Sequence, residues 1–195
     1  MCAEAADTRE DPRVTRSKAT VITTVLDLIG ERGVAHTTVD EVSERSGVAK
    51  TTIYRHWASR AELVLDAIAT LLEPPPVPDT GALHSDLYEL VDGLIRALTS
   101  SPLAGLMPSL MEAAERDPEF AELHRRQTQQ RHRAVREVID RGVRRGELPQ
   151  DVDRDLALAL LAGPVFYRRF VSTETVDHDF GRAVVDAALR ALTAR

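Results

Sequence analysis

An all-α fold follows from three features of the 195-residue sequence. Apolar residues recur at three- and four-residue spacing from end to end, period-2 alternation is scarce, and only 4% of residues are aromatic. The first helix is expected over Ser17 to Arg32, with Ala19, Ile22, Leu26 and Ile29 on one stripe and Gly33 as its C-cap. The second opens with a capping box, Thr38 and Glu41, turns Val39 and Val42 inward, and stops near Ser46, where Gly47 supplies a turn. A short third helix over Ala49 to Trp57 sets Ile53 and Trp57 one turn apart on its inner side. Ser59 and Glu62 form another capping box and start a fourth helix through Leu63, Ala67, Ile68 and Leu71, which Pro74, Pro75 and Pro76 halt.

That proline cluster, followed by Pro78, is the sharpest break in composition and reads as a stiff connector. Beyond it lies a larger helical body. A fifth helix, Thr80 to Thr99, is expected to bury Leu83, Leu87, Leu90, Leu94 and Leu98. A sixth begins at Pro102 and carries Leu106, Met107, Leu110 and Met111, with Pro108 inside it. Asp117 and Pro118 start a long, arginine-rich seventh that runs to Gly146. Its arginines (Arg125, Arg126, Arg131, Arg133, Arg136, Arg141, Arg144 and Arg145) are interleaved with Glu137 and Asp140, the pattern of a solvated helix face. The eighth, Val152 to Val171, is apolar over a wide arc that includes Leu156, Leu158, Leu160, Leu161, Val165, Phe166 and Phe170, and Gly163-Pro164 interrupts it. The ninth, Val176 to Ala194, carries Phe180, Val184, Ala188 and Leu192. No repeat of solenoid length is present.

Composition excludes several classes. A chain that is 43% hydrophobic and 29% charged is ordinary for a globular protein. Cys2 is the only cysteine, so no intrachain disulfide or cysteine-rich zinc site can form, and a reducing cytoplasm is the expected setting. No apolar run approaches the ~18 residues of a membrane span. The phosphate loop, the dinucleotide glycine fingerprint, the Gly-x-Ser-x-Gly elbow and the His-Glu-x-x-His zinc motif are all missing. No two histidines stand three or four apart, and the pair His124 and His132 is too widely spaced for a helix-borne metal site, so neither metal nor cofactor is expected. The net charge of −6 also argues against general affinity for nucleic acid until it is resolved by region. Residues 13–60 hold eight basic against five acidic residues, whereas residues 61–195 hold 16 against 22.

Within the positive region, two helices joined by a tight glycine turn and preceded by a packing helix form a helix-turn-helix, whose second helix enters the DNA major groove. Such a helix must be short and pinned on its inner side, here by Ile53 and Trp57. Its outer side must offer donors, and Lys50, Thr51, Thr52, Tyr54, Arg55 and His56 do so at a density found nowhere else in the chain. Hydroxyls suit phosphates, and a threonine methyl suits a thymine methyl.

The stretch GVAHTTVDEVSERSGVAKTTIYRHWASRAEL resembles the DNA-binding domain of the tetracycline-repressor (TetR) family of bacterial transcription regulators. The elements agree in order and spacing: the glycine after the first helix, the Thr-Thr pair, the Ser-Gly-Val turn, Thr-Ile-Tyr with an aromatic three residues after the tyrosine, and the following Ser-Arg. The resemblance implies that Thr38 contributes to phosphate contacts, that Lys50, Thr51, Thr52 and Tyr54 face the groove, that His56 lies near the phosphates, and that Arg60 lies on the DNA backbone. It also implies a homodimer paired through the last two helices, and a ligand cavity among the fourth to seventh. Ala49 stands where a capping serine is frequent, Ile29 where phenylalanine is, and Thr51 where glycine is. Gly163-Pro164-Val165-Phe166-Tyr167-Arg168 resembles a penultimate-helix segment of one subgroup.

The sequence thus leads to about nine helices: a disordered tail over 1–14, a DNA-binding domain over 15–60, and a ligand-binding and dimerisation domain over 61–195. The expected partners are an operator in double-stranded DNA, a second copy of the chain, and a largely hydrophobic small-molecule effector. Leu106, Met107, Leu110, Met111 and Phe166 are the candidate pocket residues, and Leu158, Leu161, Val165, Val184 and Ala188 the candidate dimer contacts. Two rival readings stand beside this one: a helical protein-interaction module whose head does not bind DNA, and a helical enzyme using the body.

Overall fold

The computed structural model describes residues 12–71 and 76–194. These residues form helices and connecting turns without strands, as the periodicity requires, and the chain divides into two compact units between Thr70 and Leu71. The first unit holds α1 (Pro12–Arg32), α2 (Val39–Ser46), α3 (Lys50–His56) and α4 (Arg60–Ala69), with a 3-10 turn at Val34–His36. The expected tail overlaps the start of α1 at residues 12–14, while residues 1–11 lie outside the described residues. The division falls after α4 rather than before it, because α4 packs on α1.

Local chemistry sets each boundary. Gly33 follows α1 at φ 80° and its N–H reaches Ile29 O at 2.8 Å. Gly47 closes α2 in the left-handed region at φ 70°, donating to Ser43 O at 3.1 Å. Thr38 Oγ1 accepts the N–H of Glu41 at 3.2 Å and Ser59 Oγ that of Glu62 at 3.1 Å, so both expected caps form. The Glu62 carboxylate returns to Ala58 N–H, at 2.7 Å, one residue before the cap. Ala49 gives α3 no side-chain cap. α4 ends at Ala69, where the Thr70 hydroxyl donates to Ala67 O at 2.6 Å, and Pro74 and Pro75, its expected stop, lie outside the described residues.

The stripe expected on α1 is displaced. Val21, Val25, Leu28 and Ile29 are buried, whereas Ala19 is exposed and Ile22 and Leu26 are half-buried. Two adjacent ridges of this helix are apolar, and the first unit's core takes the one through Val21, Val25 and Leu28.

The second unit comprises α5 (Leu83–Thr99), α6 (Leu103–Arg116), α7 (Pro118–Arg131), α8 (Arg133–Arg144), α9 (Arg154–Phe166) and α10 (His178–Thr193). α5 is central, packing against α6, α8, α9 and α10. Its buried ridge is Leu83, Leu87, Val91, Ile95 and Leu98; Leu90 and Leu94, expected at full depth, pack at the margin of the same core. Gly142 and Gly181 permit close approach to α5, since a Cβ would lie 2.9 Å from Leu83 Cδ1 at the first and 2.9 Å from Ile95 Cδ1 at the second.

Two elements differ from expectation. The long seventh helix is broken at His132 into α7 and α8, giving ten α-helices among the described residues. From His124 to Arg133 the sequence has no apolar side chain that could hold a continuous helix against a core. In α9 the helix runs through Gly163-Pro164 and instead widens into one π-helical turn, Tyr167–Val171, closed by Ser172 N–H on Tyr167 O at 3.0 Å.

Arg141 and Arg145 are not part of a merely wet face. Arg141 binds Asp79 at 2.7 Å and Pro78 O at 2.7 Å, and Arg145 reaches Asp79, Asp86 and Glu147. Asp86 is fully buried and accepts both the N–H and the hydroxyl of Thr80 at 2.7 Å, while Glu147 accepts Leu83 N–H at 2.8 Å. This network fastens the start of α5 to the end of α8. Burial pushes the Asp86 carboxyl up, but the Thr80 hydrogen bonds, the Arg145 hydrogen bond and the Arg141 charge outweigh it and hold the group below the usual aspartate range. No helix among the described residues is long and apolar enough to cross a membrane.

Candidate nucleic-acid interface

α3 has two sharply different sides. Ile53 and Trp57 are 1% and 2% exposed. Trp57 Nε1–H donates to Asp66 Oδ2 on α4 at 2.9 Å, and the Lys18 ammonium of α1 lies 5.7 Å from the indole centroid, so the tryptophan ties α3 to both neighbours. Outward, Lys50, Thr51, Tyr54 and Arg55 are exposed and Thr52 is half-buried, with Tyr54 at 53%. Thr51, Tyr54 and Arg55 stand at i, i+3 and i+4 and share one face.

The remaining candidates are placed less simply. Thr38 is exposed at the start of α2, where its hydroxyl serves as the cap and also donates to Glu41 Oε2 at 3.3 Å. His56 is half-buried, edge-on to Trp57 with ring centroids 5.6 Å apart, and its Nε2 is enclosed without a hydrogen-bond partner. Arg60, expected on the DNA backbone, turns inward instead. Its Nε donates to Thr37 O at 2.7 Å and a terminal N–H to Val34 O. Val34 O already accepts the Thr37 N–H at 3.2 Å, and Arg60, at the first position of α4, adds a second donor there and binds Thr37 O beside it.

Charge in this unit is largely spent on internal pairs. Arg32 pairs with Glu41, Arg45 with Glu31 through bonds of 2.6 and 2.7 Å, Lys50 with Asp40 at 2.5 Å, and Lys18 with Asp66 at 3.7 Å. The hydrogen bonds from Arg45 hold the Glu31 carboxyl below its ordinary value. Arg55, to which the resemblance gives no role, is exposed and makes no ion pair among the described residues. Its position beside Thr51 and Tyr54 was readable from i, i+4 spacing; its freedom from a partner was not.

In the second unit, Leu110 is buried, Met107 and Phe166 pack against the core, Leu106 is half-buried and Met111 is 42% exposed. Met111 therefore sits at the surface rather than with the interior candidates. Among the expected dimer contacts, Leu161, Val165, Val184 and Ala188 are buried within the single chain, and Leu158 is half-buried. The outward row on α9 and its π turn is Leu156, Ala159, Gly163 and Tyr167, accompanied on α10 by Ala183, Ala187 and Ala191. The sequence marks α9 as apolar over a wide arc, and the core takes the ridge opposite this row. No group of three or more potential metal ligands occurs among the described residues.

A family model described as bacterial regulatory proteins of the tetR family matches residues 22–67, and one described as a tetracyclin repressor-like C-terminal domain matches residues 77–188. The chain is 31% identical to the HTH-type transcriptional regulator YdeS of Bacillus subtilis (strain 168), over 95% of this chain and 94% of that protein. It is also 31% identical to a DNA-binding transcriptional repressor, TetR, of Mycobacteroides abscessus, over 90% and 93% of the two chains. The crystal structure of the TetR family transcription regulator SCO0332 superimposes with a TM-score of 0.69 at 30% identity, covering 89% of this chain and 97% of that one.

Proposed function

Because the chain belongs to the TetR family of helix-turn-helix transcriptional regulators, DNA-binding factors rather than enzymes, we propose that it is a ligand-responsive repressor that binds a near-palindromic operator as a homodimer. The observation that carries this reading is the two-sidedness of α3: Ile53 and Trp57 locked inside, Lys50, Thr51, Tyr54 and Arg55 turned out. Two such helices in a symmetric pair would enter successive major grooves about 34 to 36 Å apart, or a multiple of that distance. Thr38, Thr52 and the half-buried His56 supply supporting contacts, while Arg60 acts through the turn it braces. The pairing surface is the outward row of α9 with the alanines of α10. Repression follows the M. abscessus relative, which is named as a repressor.

The effector, on this reading, is a largely hydrophobic small molecule held in the second unit near Leu106, Met107, Leu110 and Phe166. Release from DNA requires that it bind the DNA-free state more tightly, commonly by about 1 to 3 kcal/mol. The test is selection of bound duplexes from a random DNA pool by the purified protein, repeated with candidate apolar effectors. Enrichment of an inverted repeat supports the reading, and loss of that enrichment with an effector supports release. Recovery of no preferred sequence, or of an asymmetric site bound by a single chain, rejects it.

A further inference from the structure

Within α3 only Ile53 is buried, and Ala49 gives the helix no side-chain cap, so its hold on the first unit falls largely to Trp57, whose N–H closes the last turn on Ile53 O at 3.0 Å. The Trp57 side chain carries one polar atom, the indole N–H, which can donate but not accept. It is buried with the ring, and its acceptor is Asp66 Oδ2 at 2.9 Å, in the last turn of α4. The same oxygen lies 3.7 Å from the Lys18 ammonium of α1, so one carboxylate stands where α1, α4 and the anchor of α3 meet. Helix α4 gains nothing from an acid there. Aspartate is a poor residue for a helix interior, and a negative charge in the last turn opposes the helix dipole.

We propose, on the reading of α3 as the recognition helix, that Asp66 is a positioning residue for operator binding: through the indole N–H it fixes how Trp57 lies, and so the pose in which α3 meets the groove. Without this acceptor the buried N–H is unsatisfied in the native pose, and poses that turn the indole edge toward water gain by comparison. α3 follows the ring, because Ile53 is the one other anchor on its inner side. Only the native pose sets Thr51 and Tyr54 in register with the bases, so operator affinity falls with the fraction of heads that occupy it. Binding to random DNA draws on cations and tolerates a range of poses.

The test compares Asp66→Asn with Asp66→Leu in the full chain. Both remove the charge, leave similar bulk and release Lys18 alike, but only Asp66→Asn keeps an oxygen that can accept the indole N–H. Asp66→Ala repeats the removal without the bulk, and a thermal melt of each variant sets a working temperature at which it is folded. Fluorescence anisotropy is read on the selected operator and on a random duplex of equal length. Asp66→Leu and Asp66→Ala should bind the operator about two- to ten-fold more weakly than Asp66→Asn, while all three bind the random duplex equally. Trp57 is the only tryptophan of the chain, so acrylamide quenching of its emission reports the indole directly. Quenching should match the unsubstituted protein in Asp66→Asn, rise in Asp66→Leu and Asp66→Ala, and return to the unsubstituted value once the operator is bound. In a Trp57→Phe background, Asp66→Asn and Asp66→Leu should bind the operator alike. Equal operator affinity across the three single variants would overturn the proposal, as would weaker binding with unchanged quenching. A parallel loss on both duplexes would mark a generally damaged head, and a difference that persists in the Trp57→Phe background would show that Asp66 acts elsewhere; either overturns it as well. Failure of the unsubstituted protein to bind either duplex would instead remove the recognition-helix reading, and the proposal with it.

Discussion

Tyr54, on the seven-residue α3, and Trp57, which caps its end, are three residues apart, yet one is half open to solvent and the other is 2% exposed with its indole N–H bonded to Asp66. Their different partners separate binding from stability. Tyr54→Ala removes an exposed ring and hydroxyl, so operator affinity should fall by about 1 to 3 kcal/mol, roughly 5- to 150-fold, with no shift in the melting temperature. A titration of labelled operator beside a thermal melt checks both halves, and equal affinity for the two proteins would take Tyr54 off the interface. Asp86 represents the opposite case, a charge used for folding. Its carboxyl is held below the ordinary aspartate range in the folded chain, so its contribution is fully present above that range and is lost as pH falls toward the folded value. Denaturant midpoints should therefore drop on acidification below about pH 4, where an unfolded aspartate takes up its proton. Asp86→Asn, which cannot ionise, should be less stable at pH 7 by about 1 to 3 kcal/mol and show a shallower acid slope. Parallel acid slopes in the two proteins would contradict this account.

At the scale of the element, the features that the sequence made legible are those written in a few adjacent residues. Thr38, Gly33, Gly47, Ser59 and Asp117 each mark a helix boundary through their own hydrogen bonding or φ, and each stands where the spacing put it. Which ridge of a broad apolar helix is buried was not legible, because that depends on neighbours distant in sequence. Hence Val21 and Val25 replace Ala19 and Ile22 on α1, Val91 and Ile95 replace Leu90 and Leu94 on α5, and Leu161 and Val165 are spent on the core of one chain. The inward bonds of Arg60 were not legible for the same reason: the Val34 and Thr37 carbonyls it binds lie more than twenty positions away. Glycines distinguish the two kinds of constraint. Gly47 has open space where a Cβ would sit but a φ of 70°, so Gly47→Ala should destabilise by about 1 to 2 kcal/mol through backbone strain alone. Gly142→Ala meets the buried Leu83 at 2.9 Å and should cost about 1 to 3 kcal/mol through overpacking. Adding Leu83→Val should restore part of the second loss and none of the first, which urea melts of the four proteins would resolve.

At the scale of the whole molecule, function on the proposed reading requires two copies, because one seven-residue helix offers too few base contacts to select a site. Joining two heads makes the second contact intramolecular and raises operator affinity by about 10² to 10⁴ without any new contact at the DNA. The same arithmetic predicts how the regulator fails. Leu156 and Tyr167 are 52% and 61% exposed on the outward row of α9, and Ala187 is exposed on α10, so Leu156→Asp with Ala187→Asp places charge on that surface without entering the core of either unit. Sedimentation should then report a folded monomer. Its operator affinity should fall by at least about 10²-fold, while binding to random DNA, which draws on each head's own cations, should fall far less. This contrast separates lost pairing from a damaged head, since damage to α3 would weaken both kinds of binding together. A monomer that kept full operator affinity would mean that one head suffices, and a variant that stayed dimeric would move the pairing surface away from the outward row of α9 and the alanines of α10.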